Sequence, residues 1–187
     1  NLRQIGAGLM LYAEDHKGRI TGSRYNDPGD GNNYPLWCYR LGRGGYISKS
    51  DTNGNSPVFA CPLIPKKGTG SMPEENKYGM RVWAPDNTQP SIEEDRLLPL
   101  SAIETPSDFF LVADSINNST NIQWYCLTPD GSTVKGIHLR HNNKANAVFA
   151  DGHVAAKDRD YFAQLHTRQL HNGSTNRNKS FTIYPAR

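Results

Sequence analysis

At 187 residues the chain has the length of one domain, able to bury a core of its own. A mean hydropathy of -0.70 with 17 Gly and 12 Pro describes a loop-rich polar chain, and no apolar stretch approaches the ~20 residues of a membrane-spanning helix. The net charge of +3 is small and the Lys and Arg residues are scattered, so there is no electrostatic footprint for nucleic acid.

Residues 1 to 17 read as an amphipathic helix: Leu2, Ile5, Leu9, Tyr12 and His16 recur at spacings of 3, 4, 3 and 4, and Met10 and Leu11 widen the stripe. Gly18 stops the helix, with Lys17 and Arg19 at the negative end of its dipole. A helix already under way at Asn1 leads us to expect an upstream part, a basic leader and an apolar stretch of ~20 residues.

From Ile20 to Gly54 the chain is rich in Gly, Asn and Asp, around an apolar island at Tyr34 to Leu41 that reads as a short helix or turn pinned by Trp37. Asp27, Asp30 and Asn32 offer oxygen ligands at the close spacing of a calcium loop. They lack the Asp-x-Asp-x-Asp-Gly order and the closing Glu, so calcium competes there with a plain turn. Val58 to Cys61 reads as a short strand ended by Pro62, and Tyr78 and Val82-Trp83 as core contacts in a turn-rich stretch. Asp108 to Asp114 is the clearest buried strand, Asn121 to Leu127 another. Asp130-Gly131 turns toward a strand ending at Leu139. Tyr161 to His166 reads as a helix with Asp158 and Asp160 at its positive end, and Phe181 to Pro185 as a last strand.

Ala145 to Ala150 and His153 to Lys157 flank Asp151-Gly152, a strong short-range hairpin signal. A two-residue type I′ loop places Phe149 opposite Val154 and Ala147 opposite Ala156, with Val148 and Ala155 on the other face. Both faces are largely apolar, as in a strand pair inside a sheet covered on at least one side and in part on both.

His141, nine residues and then Asp151-Gly152 resembles the His-X9-Asp-Gly signature of bacterial prepilin-like proteins related to type II secretion pseudopilins. The opening Asn1 to Gly6 with Leu11 to Arg19 is similar to the segment after the membrane anchor of that family. Phe59-Ala60-Cys61-Pro62 and Pro106-Ser107 leading to Ala113-Asp114-Ser115 match it further along. The resemblance implies a short basic leader removed at a processing site, methylation, and a hydrophobic inner-membrane anchor helix that serves as filament core, with the head in the periplasm or outside the cell. It implies assembly with other pseudopilin subunits through the N-terminal helix.

Three cysteines in an envelope-exposed domain allow one disulfide, and Cys38 with Cys61 is the expected pair, Cys126 being a strand thiol. Three reduced, packed cysteines are the alternative. His138-x-x-His141 with Asp114 and Asp151 raises a hydrolytic metal site, but the spacing matches no zincin motif, and neither a Gly-x-Ser-x-Gly elbow nor a phosphate loop accompanies it. If the segment from His141 to Asp151 is extended, the two lie on the order of 25 to 33 Å apart and cannot pair. His141 is then expected to make a structural hydrogen bond to Asp158 or Asp160, and to hold no metal.

These readings give one α+β domain over residues 1 to 187: residues 1 to 17 as the remnant of a pilin-type helix, packed on an antiparallel sheet, and 18 to 187 as a head with long loop-rich insertions. The expected function is that of a non-catalytic pseudopilin-like subunit of a type II secretion or pilus-type assembly. The alternative is an envelope-anchored carbohydrate- or peptide-binding module using Trp37, Trp83 and Trp124 as stacking platforms.

Overall fold

Leu2, Ile5, Leu9 and Tyr12 fall on one side of a helical wheel, and that side decides how the first helix sits. In the computed structural model, α1 spans Leu2–Asp15 and buries all four. Each such side chain removed from water contributes ~1.5 to 3 kcal/mol, far more than helix propensity does. The stripe is narrower than expected: Met10 is half-buried and Leu11 is 51% exposed. The helix ends where Lys17 and Gly18 take positive φ (56° and 74°), letting the Gly18 N–H reach back to the Ala13 carbonyl at 2.8 Å.

The structure describes residues 1–23, 36–51, 55–64, 76–82, 97–127, 135–164 and 183–185. Along the chain follow β1 (Arg19–Ile20), α2 (Trp37–Arg43), β2 (Gly79–Arg81), β3 (Leu98–Pro99), β4 (Phe110–Ala113), β5 (Ser115–Asn117) and β6 (Cys126–Leu127). The chain continues through β7 (Lys135–Leu139), β8 (Ala145–Phe149), β9 (Val154–Lys157), α3 (Arg159–Gln164) and β10 (Ile183–Pro185). The fold is α+β. A five-stranded sheet runs β6-β2-β4-β8-β9, a three-stranded sheet β10-β7-β5, and β1 pairs with β3. The sheets are mixed, because β2 with β6 and β10 with β7 are parallel. Among the described residues no helix is long and apolar enough to cross a membrane.

The five-stranded sheet is buried on both faces across β6, β2, β4 and β8, apart from half-buried Asn146, while edge strand β9 is part-exposed. In β8, Val148 joins the core under α1 and α2, while Ala145, Ala147 and Phe149 join a second core with Ile137, Leu139 and Phe162. Trp37 is fully buried in the first core, edge-on to Phe59, with its indole N–H donating to the Tyr125 carbonyl at 3.0 Å. It therefore offers no stacking platform. Trp124 is half-buried with Lys135 Nζ over its ring at 4.3 Å, and Trp83 lies outside the described residues.

Three local expectations are corrected. Residues Pro57–Phe59 form a 3-10 turn rather than a strand, since Ser56 caps it and Pro57 supplies a preset φ at its start. Of Asn121 to Leu127 only β6 is strand. The β8–β9 register is one residue off the expected one: Val148 faces Val154 and Ala147 faces Ala155. The loop has three residues, closed by the Gly152 N–H donating to the Phe149 carbonyl at 2.9 Å, with positive φ at Gly152 (88°) but not at Asp151. This is a type I turn followed by a glycine bulge, not a type I′ turn. The slip turns Val154 toward the α1 core and Ala155 toward the second one.

A two-residue hairpin turn with positive φ at both centres does occur, at Asn142 and Asn143 (52° and 58°), between β7 and β8. His141 and Lys144 exchange both backbone hydrogen bonds there at 3.0 Å. Asparagine is the side-chain-bearing residue best suited to that conformation.

Candidate functional site

The tight Asn142-Asn143 turn fixes His141 at the end of β7, facing the junction where β4 passes into β5. Asp114 occupies that junction, fully buried. Its backbone is held on both sides: its N–H donates to the Asn146 carbonyl and its carbonyl accepts from the His138 N–H, each at 3.0 Å. Its two carboxylate oxygens have different neighbours. Oδ2 accepts the Asn146 N–H at 2.7 Å and lies 3.3 Å from His141 Nε2. Oδ1 is buried, accepts no hydrogen bond and has Arg140 Nη1 3.6 Å away. Arg140 is itself anchored by donating to the Ser115 carbonyl and, at 3.1 Å, to His138 Nδ1.

The third member comes from the segment after the Pro57–Phe59 turn. The Cys61 N–H donates to Gln123 Oε1 at 3.0 Å, and its Sγ sits 3.5 Å from His141 Nε2. Cys61 Sγ, an Asp114 carboxylate oxygen and His141 Nε2 all lie within 4.8 Å of one another. Tyr78 completes the surroundings. Burial first, and then the electrostatic influence of neighbouring Cys61 and Asp114, push its phenol far above the usual range, so it stays neutral.

The cluster brings together two of the four residues raised for a hydrolytic site, His141 and Asp114, and adds Cys61. Asp151 is elsewhere: its Oδ1 meets His153 Nδ1 at 2.6 Å in the hairpin loop. The His153 hydrogen bonds outweigh a burial effect of opposite sign and hold the Asp151 carboxyl below its ordinary range. His141 and Asp151 thus belong to different sites, although the segment between them is not extended throughout: the Asn142-Asn143 turn reverses the chain directly after His141. The expected partners Asp158 and Asp160 are not those of His141. Asp158 instead accepts the Tyr161 N–H at 3.0 Å at the start of α3.

The Cys38–Cys61 disulfide is not formed. None of the three cysteines is in a disulfide, and all are buried. Cys38 packs inside the α1 core, where burial pushes its thiol up to about 12, while Cys61 turns to His141. The calcium candidates Asp27, Asp30 and Asn32 lie outside the described residues.

No family model, curated protein or solved structure matches this chain.

Cys, His and Asp in contact invite comparison with a nucleophilic triad. Such a relay uses both imidazole nitrogens, one toward the nucleophile and the other held by the carboxylate. Here Nε2 alone faces both Cys61 and Asp114. A single nitrogen cannot take a proton from the thiol while donating one to the carboxylate, so the geometry does not make a relay.

Proposed function

We propose that the chain is the head of a pseudopilin-like subunit of a type II secretion or pilus-type envelope assembly. It is held at the inner membrane by an anchor helix and associates with other pseudopilin subunits through its N-terminal helix. Its role is non-catalytic. The supporting observation is the seating of α1. One face is sealed onto the sheet and the other leaves Arg3, Gln4, Ala7 and Leu11 exposed. Leu11 and Leu63 are the exposed large apolar side chains among the described residues, and an apolar side chain on an outward helix face suits helix-to-helix association. The His-X9-Asp-Gly resemblance adds support, because Gly152 sits under α1: a Cβ there would lie 3.0 Å from Met10 Cγ.

The test is fractionation of cells making the protein from its full gene. The product should stay with the inner membrane through salt and alkaline washes and leave only with detergent. A protein released freely after removal of a secretory signal would instead favour a binding module.

A further inference from the structure

The three side chains that converge beside β4 have no role in helix-mediated assembly, and their geometry asks for something between them. A hydrogen-bonded carboxylate–imidazole pair closes to ~2.7 to 2.9 Å when charge assists it. Asp151 and His153 do so in this molecule, at 2.6 Å, although both are well exposed. Asp114 and His141, more deeply buried, stand off at 3.3 Å. Asp114 also keeps a buried oxygen that accepts no hydrogen bond.

Zinc holds sulfur at about 2.3 Å and nitrogen or oxygen at about 2.0 to 2.1 Å, so two ligands in a tetrahedron are about 3.5 to 3.6 Å apart for S and N and about 3.3 Å apart for N and O. The observed separations are 3.5 Å from Cys61 Sγ to His141 Nε2 and 3.3 Å from His141 Nε2 to Asp114 Oδ2. We propose that Cys61 Sγ, His141 Nε2 and Asp114 Oδ2 form a zinc site, with the fourth place taken by water. A sulfur, a nitrogen and an oxygen suit zinc and disfavour calcium, which takes oxygen ligands only. Convergence of one imidazole nitrogen on both partners, which defeats a proton relay, is what a shared cation requires.

The surroundings orient the ligands. Asn146 N–H fixes Oδ2, Arg140 faces the other oxygen, and Gln123 Oε1 holds the Cys61 backbone N–H. On binding, the Cys61 thiol loses its proton to solvent and the thiolate coordinates. Entry is from the His141 side, whose side chain is 27% exposed while Asp114 is fully buried. The ligands come from three distant segments, so the ion staples the loop-rich middle, through Cys61, to the β4–β5 junction and the β7–β8 turn. This contradicts the expectation that His141 holds no metal.

The test is titration of the reduced, chelator-treated protein with zinc by calorimetry, and with cobalt by absorption. One equivalent should bind, the cobalt adduct should show a thiolate charge-transfer band, and zinc should raise the melting temperature. His141→Gln, at a part-exposed position, should lower affinity by about 100-fold or more, beyond the loss typical of an outer-shell partner. Cys61→Ala should abolish the charge-transfer band; if that variant does not fold, His141→Gln carries the test alone. Absence of binding, a cobalt adduct without the thiolate band, or zinc affinity unchanged in His141→Gln would overturn the site.

Discussion

Asp151 and His153 show how a two-residue separation in sequence can do a turn's work. The Asp151 carboxylate accepts from both the His153 backbone N–H, at 3.1 Å, and its ring, at 2.6 Å. A carboxyl held below its unfolded-state value contributes stability that is complete above that value and is lost as pH falls through the lower folded one. The gap in stability between the wild type and Asp151→Asn should therefore be present at about pH 5 and close as the pH is taken to about 2, followed by denaturant melts. With both side chains more than a third exposed, the gap is small and shrinks in salt. A gap that does not change over this range would mean that the pair does not hold the loop. His141 shows the other side of residue-scale reading. The extended run expected between it and Asp151 is broken by the Asn142-Asn143 turn, and its partners arrive from Cys61 and Asp114 through sheet topology, which no local spacing encodes.

At the scale of elements, the contact between α1 and the β8–β9 loop organises the head. A Cβ on Gly6 would come 3.0 Å from the Gly152 carbonyl oxygen and 3.2 Å from Val148 Cγ1. Gly152 has φ 88° and faces Met10. Replacing a mid-helix glycine by alanine ordinarily stabilises by about 1 kcal/mol. Gly6→Ala should do the opposite, because helix and loop must separate to admit the methyl. Gly152→Ala should cost roughly 1 kcal/mol or more through its backbone alone. The double variant should lose less than the sum, since the first substitution already opens the contact. Urea melts measure all three, and a stabilised Gly6→Ala would refute the close seating. Helix α1, the hairpin at Asp151-Gly152 and β4 are legible from periodicity and turn residues. The β8–β9 register is not, because Asp-Gly serves equally in a two-residue loop and in a three-residue loop ending in a glycine bulge. The Asn142-Asn143 turn carries a readable signal, two residues tolerant of positive φ, though a weaker one than Asp-Gly.

For the molecule as a whole, the α+β class follows from one helical stripe ahead of short apolar strand runs, while the apolar residues on both faces of β8 indicate cover on at least one side and the structure covers both. The mixed sheets do not follow from these patterns, because β6 and β10 reach their parallel partners β2 and β7 from sequence-distant positions. The functional account rests on α1 as a two-faced element, one face in the core and one presented outward. The most direct measurement is photo-crosslinking in cells making the full-length protein, with a photoreactive residue at Ala7 or Leu11 and, as control, at exposed Asp160. Assembly through the helix predicts adducts at multiples of the subunit mass from positions 7 and 11 and none from 160. Monomer alone from positions 7 and 11, or equal adducts from all three, would contradict it.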